Sequence, residues 1–162
     1  MKYYIFLDID GVLNNTEYIE KCYKKNGGYP MSMNCAPFNP IALNNLMKLA
    51  KRIRREGELK IILSSTWRLR DTDIAIVNSR LAEYGMNISD LTPRIEQKRG
   101  LEIQEFLYED TNQERDDYTF VILDDEDFDI KKIYPDNLVK VNSIKGFRWR
   151  DYRKALKILE II

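Results

Sequence analysis

Enough of this 162-residue chain is apolar, 44% hydrophobic and 11% aromatic, to fill a core; this excludes an intrinsically disordered tract and fits one domain over 1–162. Its 26 Lys and Arg balance its 26 Asp and Glu, so no global field draws it to nucleic acid or an anionic membrane, and any such preference must be a local patch. Histidine is absent, which excludes Ser-His-Asp and Cys-His triads and His-ligated metals and leaves carboxylates, hydroxyls, lysines and a hard, oxygen-loving cation to carry any catalysis.

Lys2 to Leu7 is an apolar, β-prone run that reads as a buried strand, and Asp8, Ile9, Asp10 and Gly11 follow it at once. Strand alternation places Asp8 and Asp10 on one side, at the carboxyl end where open α/β sheets keep their ligands. Two carboxylates ~4 Å apart repel by roughly 4 kcal/mol at an effective dielectric of ~20. A fold retains such a pair with a compensating metal ion or lysine; the plainer alternative is a solvated Asp-Gly turn. Gly11 permits the sharp exit.

Asn15 to Pro40 carries Gly27, Gly28, Pro30, Pro37 and Pro40, is too long for an ordinary connection, and reads as a flap or local insertion with a short helix over Thr16–Lys24. Cys22 and Cys35 match no zinc spacing and read as free thiols. Pro40 opens a helix with Leu43, Leu46, Ala50 and Ile53 on one face, closed by Gly57. Leu59–Leu63 is a second strand, ending in Ser64, Ser65, Thr66 and Trp67. A helix over Asp73–Tyr84 follows, with Asp71 and Thr72 as caps, then one over Lys98–Glu109. Tyr118–Leu123 is a third strand, ending in Asp124 and Asp125, and Leu138–Val141 a short fourth. Trp149, Tyr152, Leu156, Leu159 and Ile162 mark a closing amphipathic helix.

Strands alternating with helices predict an α/β fold, a three-layer Rossmann-like parallel sheet with helices on both faces. The polar clusters all lie just past strand ends and should converge on one crevice. No apolar run approaches the ~20 residues of a membrane span, and the N-terminus lacks the order of a signal peptide, which places the protein in the cytoplasm.

Asp8 with Asp10, the Ser64 and Ser65 hydroxyls, Lys98, and Asp124 with Asp125 thus form one candidate constellation. In this order it resembles the haloacid dehalogenase-like (HAD) hydrolase superfamily over nearly the whole chain. DIDGVLN, ILSSTWR and VILDD are similar to a subgroup of small stand-alone HAD proteins related to HAD domains within multidomain RNA-repair enzymes. The resemblance implies an Mg²⁺-dependent phosphatase. Asp8 is its nucleophile, forming an aspartyl-phosphate, and Asp10 its general acid and base. Asp8, Asp125 and the Asp10 carbonyl hold the metal, with Asp124 ligating or supporting. Lys98, with Arg99 beside it, and Ser65, favoured over Ser64, hold the phosphoryl oxygens.

An acid at Asp10 goes, by the same resemblance, with phosphatases and phosphomutases. A segment as short as Asn15–Pro40 leaves the site open, which favours hydrolysis and admits a large substrate such as a polynucleotide 3′- or 5′-phosphate. Thr66, Trp67 and Arg68 are candidate substrate contacts, by stacking on a base or gripping a phosphate, or else packing and surface residues. Phe147, Arg148, Trp149 and Arg150 are a second aromatic-basic mixture. The rival from another class is a receiver-like phosphoacceptor module without turnover. Its accepting Asp, however, would follow a later strand, which here ends in serines.

Overall fold

Five residues in a row alternate between two apolar layers in β1 (Lys2–Leu7): Tyr3, Ile5 and Leu7 face one, Tyr4 and Phe6 the other. A strand buried on both faces belongs inside a parallel sheet. In the computed structural model, which describes residues 1–27, 37–113, 115 and 117–161, β1 lies between β2 (Glu58–Leu63) and β4 (Tyr118–Asp124). β3 (Asp90–Leu91) and β5 (Leu138–Lys140) close the two edges, giving five parallel strands in the order β3-β2-β1-β4-β5.

Helices cover both faces, as the alternation predicts. α2 (Pro40–Ile53), α3 (Asp71–Ala82) and α6 (Trp149–Ile158) pack Leu43, Leu46, Val77, Leu81 and Ala155 on the odd-numbered side of β1. α4 (Arg99–Asp110) and α5 (Ile130–Ile133) pack Ile103, Phe106, Leu107 and Ile130 on the other. There Phe6 meets Phe106 and Phe120 edge-on, with ring centroids 5.7 and 5.9 Å apart. α1 (Thr16–Lys25) buries no residue. Cys35 and the remainder of the expected flap over 28–36 lie outside the described residues, as does Ile162. No helix among the described residues is long and apolar enough to cross a membrane.

The register positions the site. Leu7 pairs with Leu63 on one side and Leu123 on the other, so the three central strands end within one residue of one another and Asp8, Ser64 and Asp124 form one row at their carboxyl ends. Strand order reverses at β1, which opens the crevice there.

Some boundaries differ from expectation. β3, α5 and a 3₁₀ turn over Thr66–Leu69 are too short to show periodicity. Asp71 and Thr72 lie in the first turn of α3 rather than capping it. Trp149 is 53% exposed, because α6 turns its apolar stripe inward through Ala155 and not through its first residue.

Phe6→Ala should lower the unfolding free energy by about 3–5 kcal/mol in urea titration, because a buried ring leaves a cavity the sheet cannot collapse into; a loss below about 1 kcal/mol would contradict this packing.

Candidate active site

At these strand ends, Asp8, Asp124 and Asp125 offer carboxylate oxygens all within 4.8 Å of one another. Asp8 and Asp124 are buried and Asp125 is partly so. Among the described residues one cation answers them. Arg99 Nη1 donates to Asp124 Oδ2 at 2.7 Å and to the Ser64 carbonyl, and stands 3.4 Å from Asp8 Oδ1. The Phe128 ring covers its guanidinium, 5.3 Å from the ring centroid. Three carboxylates against one guanidinium leave two negative charges, and an all-oxygen donor set without His or Cys suits a hard divalent ion. The buried cluster fits a metal site.

Burial, then repulsion from Asp124, pushes the Asp8 carboxyl well above the ordinary carboxylate range, although Arg99 and a hydrogen bond from the Ser65 hydroxyl pull the other way. Asp124 is pushed up to about 6, chiefly by burial and against the pull of Arg99. Burial also raises Asp125. For Arg99, burial opposes the charge, but Asp124 and Asp8 outweigh it and hold the guanidinium above its ordinary value.

Gly11 is required on two counts. Its φ of +78° is in the left-handed region, and a Cβ there would lie 2.4 Å from Asp125 Oδ2. The Asp10 carboxylate stands outside the three-carboxylate group. Trp67 Nε1 donates to both Asp10 oxygens at 3.1 Å, and Asn14 Nδ2 donates to Oδ1 at 2.7 Å. Asn14 Oδ1 in turn accepts from the Gly11 amide, which locks the loop around the carboxylate.

The other expected contacts divide. Ser65 is fully buried beside Asp8. Ser64 is buried too, and its hydroxyl has no hydrogen-bond partner among the described residues. Thr66 is exposed and lines a cavity of about 180 Å³ next to Arg99. Trp67 differs from expectation: it is buried against Phe38, with ring centroids 5.7 Å apart, and presents only its N–H, to Asp10, so its face is not open to a base. Arg68 also differs. Glu102 and the carbonyls of Ser65, Thr92 and Pro93 occupy its guanidinium, which ties the loop after β2 to α4 rather than gripping substrate.

Lys98 does not pair with the cluster. It precedes the first turn of α4 with its side chain 53% exposed and paired with Glu96 at 3.1 Å, while Arg99 beside it reaches the carboxylates. One position along a helix turns a side chain by about 100°, which no count of spacing resolves. Sequence reasoning also missed Asn14, and Asp129, whose carboxylate accepts from the Gly100 and Leu101 amides at 2.7 and 3.1 Å and so caps α4. Asn14 stands inside the quoted DIDGVLN motif, four residues beyond Asp10; Asp129 looks like one more acid in a run of five.

Buried carboxylates gathered at the switch point of a parallel sheet, with a hydroxyl from the neighbouring strand and a buried cation, define a HAD-type hydrolase. Residues 4–152 match the model of the family described as HAD domain in Swiss Army Knife RNA repair proteins, and the chain belongs to that family. No curated protein and no solved structure matches it.

The raised carboxyls have a measurable sign. A folded pKa near 6 for Asp124 exceeds the ~3.9 of an unfolded aspartate, so the metal-free fold binds that proton more tightly and gains stability as pH falls through 6. No histidine titrates in that window. The Tm of chelated protein should therefore rise from about pH 7.5 to about pH 5. At the higher pH a divalent cation should raise Tm, and Asp125→Asn should stabilise the metal-free form while shrinking that increment. A Tm flat over the window and indifferent to cations would contradict the site.

Proposed function

We propose that the protein is an Mg²⁺-dependent phosphomonoester hydrolase that works through an aspartyl-phosphate on Asp8, with nucleic-acid ends as its substrate class. The observation that carries this reading is the separation of two neighbouring carboxylates into two environments: Asp8 buried among like charges, Asp10 exposed and held by the Trp67 indole and the Asn14 amide. Two carboxyls so placed suit two roles.

In the first step an Asp8 oxygen bonds to phosphorus as the ester P–O bond breaks. The departing oxygen keeps that electron pair and takes the proton of the Asp10 carboxyl. In the second, Asp10 removes a proton from water as its oxygen attacks phosphorus. The Asp8–phosphorus bond then breaks, freeing phosphate and restoring both carboxyl groups. Arg99 and Ser65 steady the phosphoryl oxygens, Arg99 in the role expected of Lys98. Mg²⁺ held by Asp8, Asp124, Asp125 and the Asp10 carbonyl would supply the positive charge that lets a carboxylate approach a phosphate dianion.

The exposure of Asp10 and the absence of buried residues in α1 support an open site. The family's description, which speaks of RNA repair proteins, supports a polynucleotide end as substrate. A receiver-like acceptor is disfavoured because β2 ends in Ser64 and Ser65, leaving no acceptor aspartate there.

Phosphate release from an aryl phosphate should run for many turnovers with Mg²⁺, stop with chelator, vanish in Asp8→Asn and fall about 10²–10⁴-fold in Asp10→Asn. A long-lived acyl phosphate after a single turnover would instead support the receiver. Trp67→Phe keeps the packing against Phe38 but removes the donor to Asp10; kcat should fall about fivefold, the worth of one hydrogen bond, with KM little changed. An unchanged kcat would remove Trp67 as a positioning residue.

A further inference from the structure

Charge that is balanced over the whole chain is concentrated in one place. From Lys140 to Lys157 the sequence carries seven Lys and Arg against a single acid, Asp151, in a protein whose totals are 26 and 26. Asp151 is engaged in accepting the Arg148 amide at 2.9 Å. We propose that the ridge formed by the exit of β5 and the first half of α6 docks a single-stranded nucleic acid and leads its phosphorylated end to Asp8. This rests on the phosphatase reading above and extends it to how the polymer is held.

Lys140, Lys145, Arg148, Arg150 and Lys154 line one groove of about 500 Å³. Lys140 pairs with Asp127 at 3.2 Å, while Lys145 and Arg148 share Glu17. Arg150 and Lys154 have no acidic partner within ion-pair distance among the described residues. Beside them, Trp149 is 53% exposed and stacks on Tyr152, with centroids 4.7 Å apart and planes 23° apart; the Lys48 ammonium stands 5.8 Å from its ring centroid. Trp149 stands about 100° around the helix from Arg150, so the aromatic platform flanks the groove that the cations line. Such a pairing binds single strands by stacking bases while neutralising their phosphates.

The ridge is also joined to the active site. Lys140 is the register partner of Asp124, about 4.8 Å away across one strand spacing. The connection from β5 to α6 is hydrogen-bonded to the catalytic loop: the Phe147 amide donates to the Val12 carbonyl at 2.9 Å, and Asn15 Nδ2 donates to the Ile144 carbonyl at 2.7 Å. Gly146 is needed there, since a Cβ would lie 2.7 Å from Asn15 Oδ1 at a φ of +73°. An acidic peptide or an anionic membrane would answer the charge. Neither uses an exposed, stacked aromatic pair next to those cations.

The test uses the full chain carrying Asp8→Asn and a fluorescent single-stranded oligonucleotide, with binding read by anisotropy across a salt series. Affinity should fall linearly in log-log form with salt, and Arg150→Ala with Lys154→Ala should flatten the slope by about two. Trp149→Ala should weaken binding between about fivefold and a hundredfold, the range for losing one stacked base. In the otherwise wild-type enzyme these changes should raise KM for an end-phosphorylated oligonucleotide and leave kcat and aryl phosphate hydrolysis unchanged. Unaltered affinity and slope in these variants would overturn the proposal. So would equal binding of poly-glutamate or anionic vesicles with the same slope. Oligonucleotide binding that follows these expectations in a protein inert toward aryl phosphate would overturn the phosphatase reading instead.

Discussion

Three carboxylates and one guanidinium, brought together where β1, β2 and β4 end, are the constraint around which the rest of the structure is arranged. Left to themselves, Asp8, Asp124 and Asp125 would repel one another and resist burial. Arg99 offsets one charge and leaves two, which is why the cluster fits a divalent cation and why its carboxyls are raised without one. Every supporting feature nearby bears on that balance. Asp129 caps the helix that delivers Arg99, Phe128 covers its guanidinium, and Gly11 leaves the space Asp125 occupies.

The second carboxylate is governed differently. Asp10 lies only two residues beyond Asp8, yet its carboxylate is held outside the three-carboxylate group by Trp67 and Asn14. Trp67 is itself fixed by Phe38 from the core and by Ser65, whose hydroxyl accepts from the Trp67 amide at 3.4 Å and also bonds Asp8. The loop after β2 thus touches both carboxylates at once. Arg68 fastens that loop to α4 through Glu102, so Asp8, Asp10 and Arg99 share one support.

Much of this was legible in the chain. Apolar runs closed by polar pairs mark β1, β2 and β4, and in a parallel sheet their ends must meet, so Asp8, Ser65, Asp124 and Asp125 follow from strand pattern alone. Pattern does not reach side-chain direction within a helix turn. Lys98 and Arg99 are adjacent and both basic, and only the packing of α4 against the sheet decides that Arg99 faces in. Nor does it separate an exposed tryptophan from one buried to donate a single hydrogen bond: Trp67 and Trp149 both adjoin arginines, and burial alone sorts them. β3 and α5 were invisible because two and four residues hold no period.

The central claim, that the buried cluster exists so that Asp8 can take a phosphoryl group, is tested most directly by acid-quenching the enzyme with Mg²⁺ and substrate during turnover and locating the added phosphoryl mass by peptide mapping. The account predicts it on the peptide containing Asp8 and not on those containing Asp124 or Asp125. A phosphoryl group on another carboxylate, or none while phosphate is released, would contradict it.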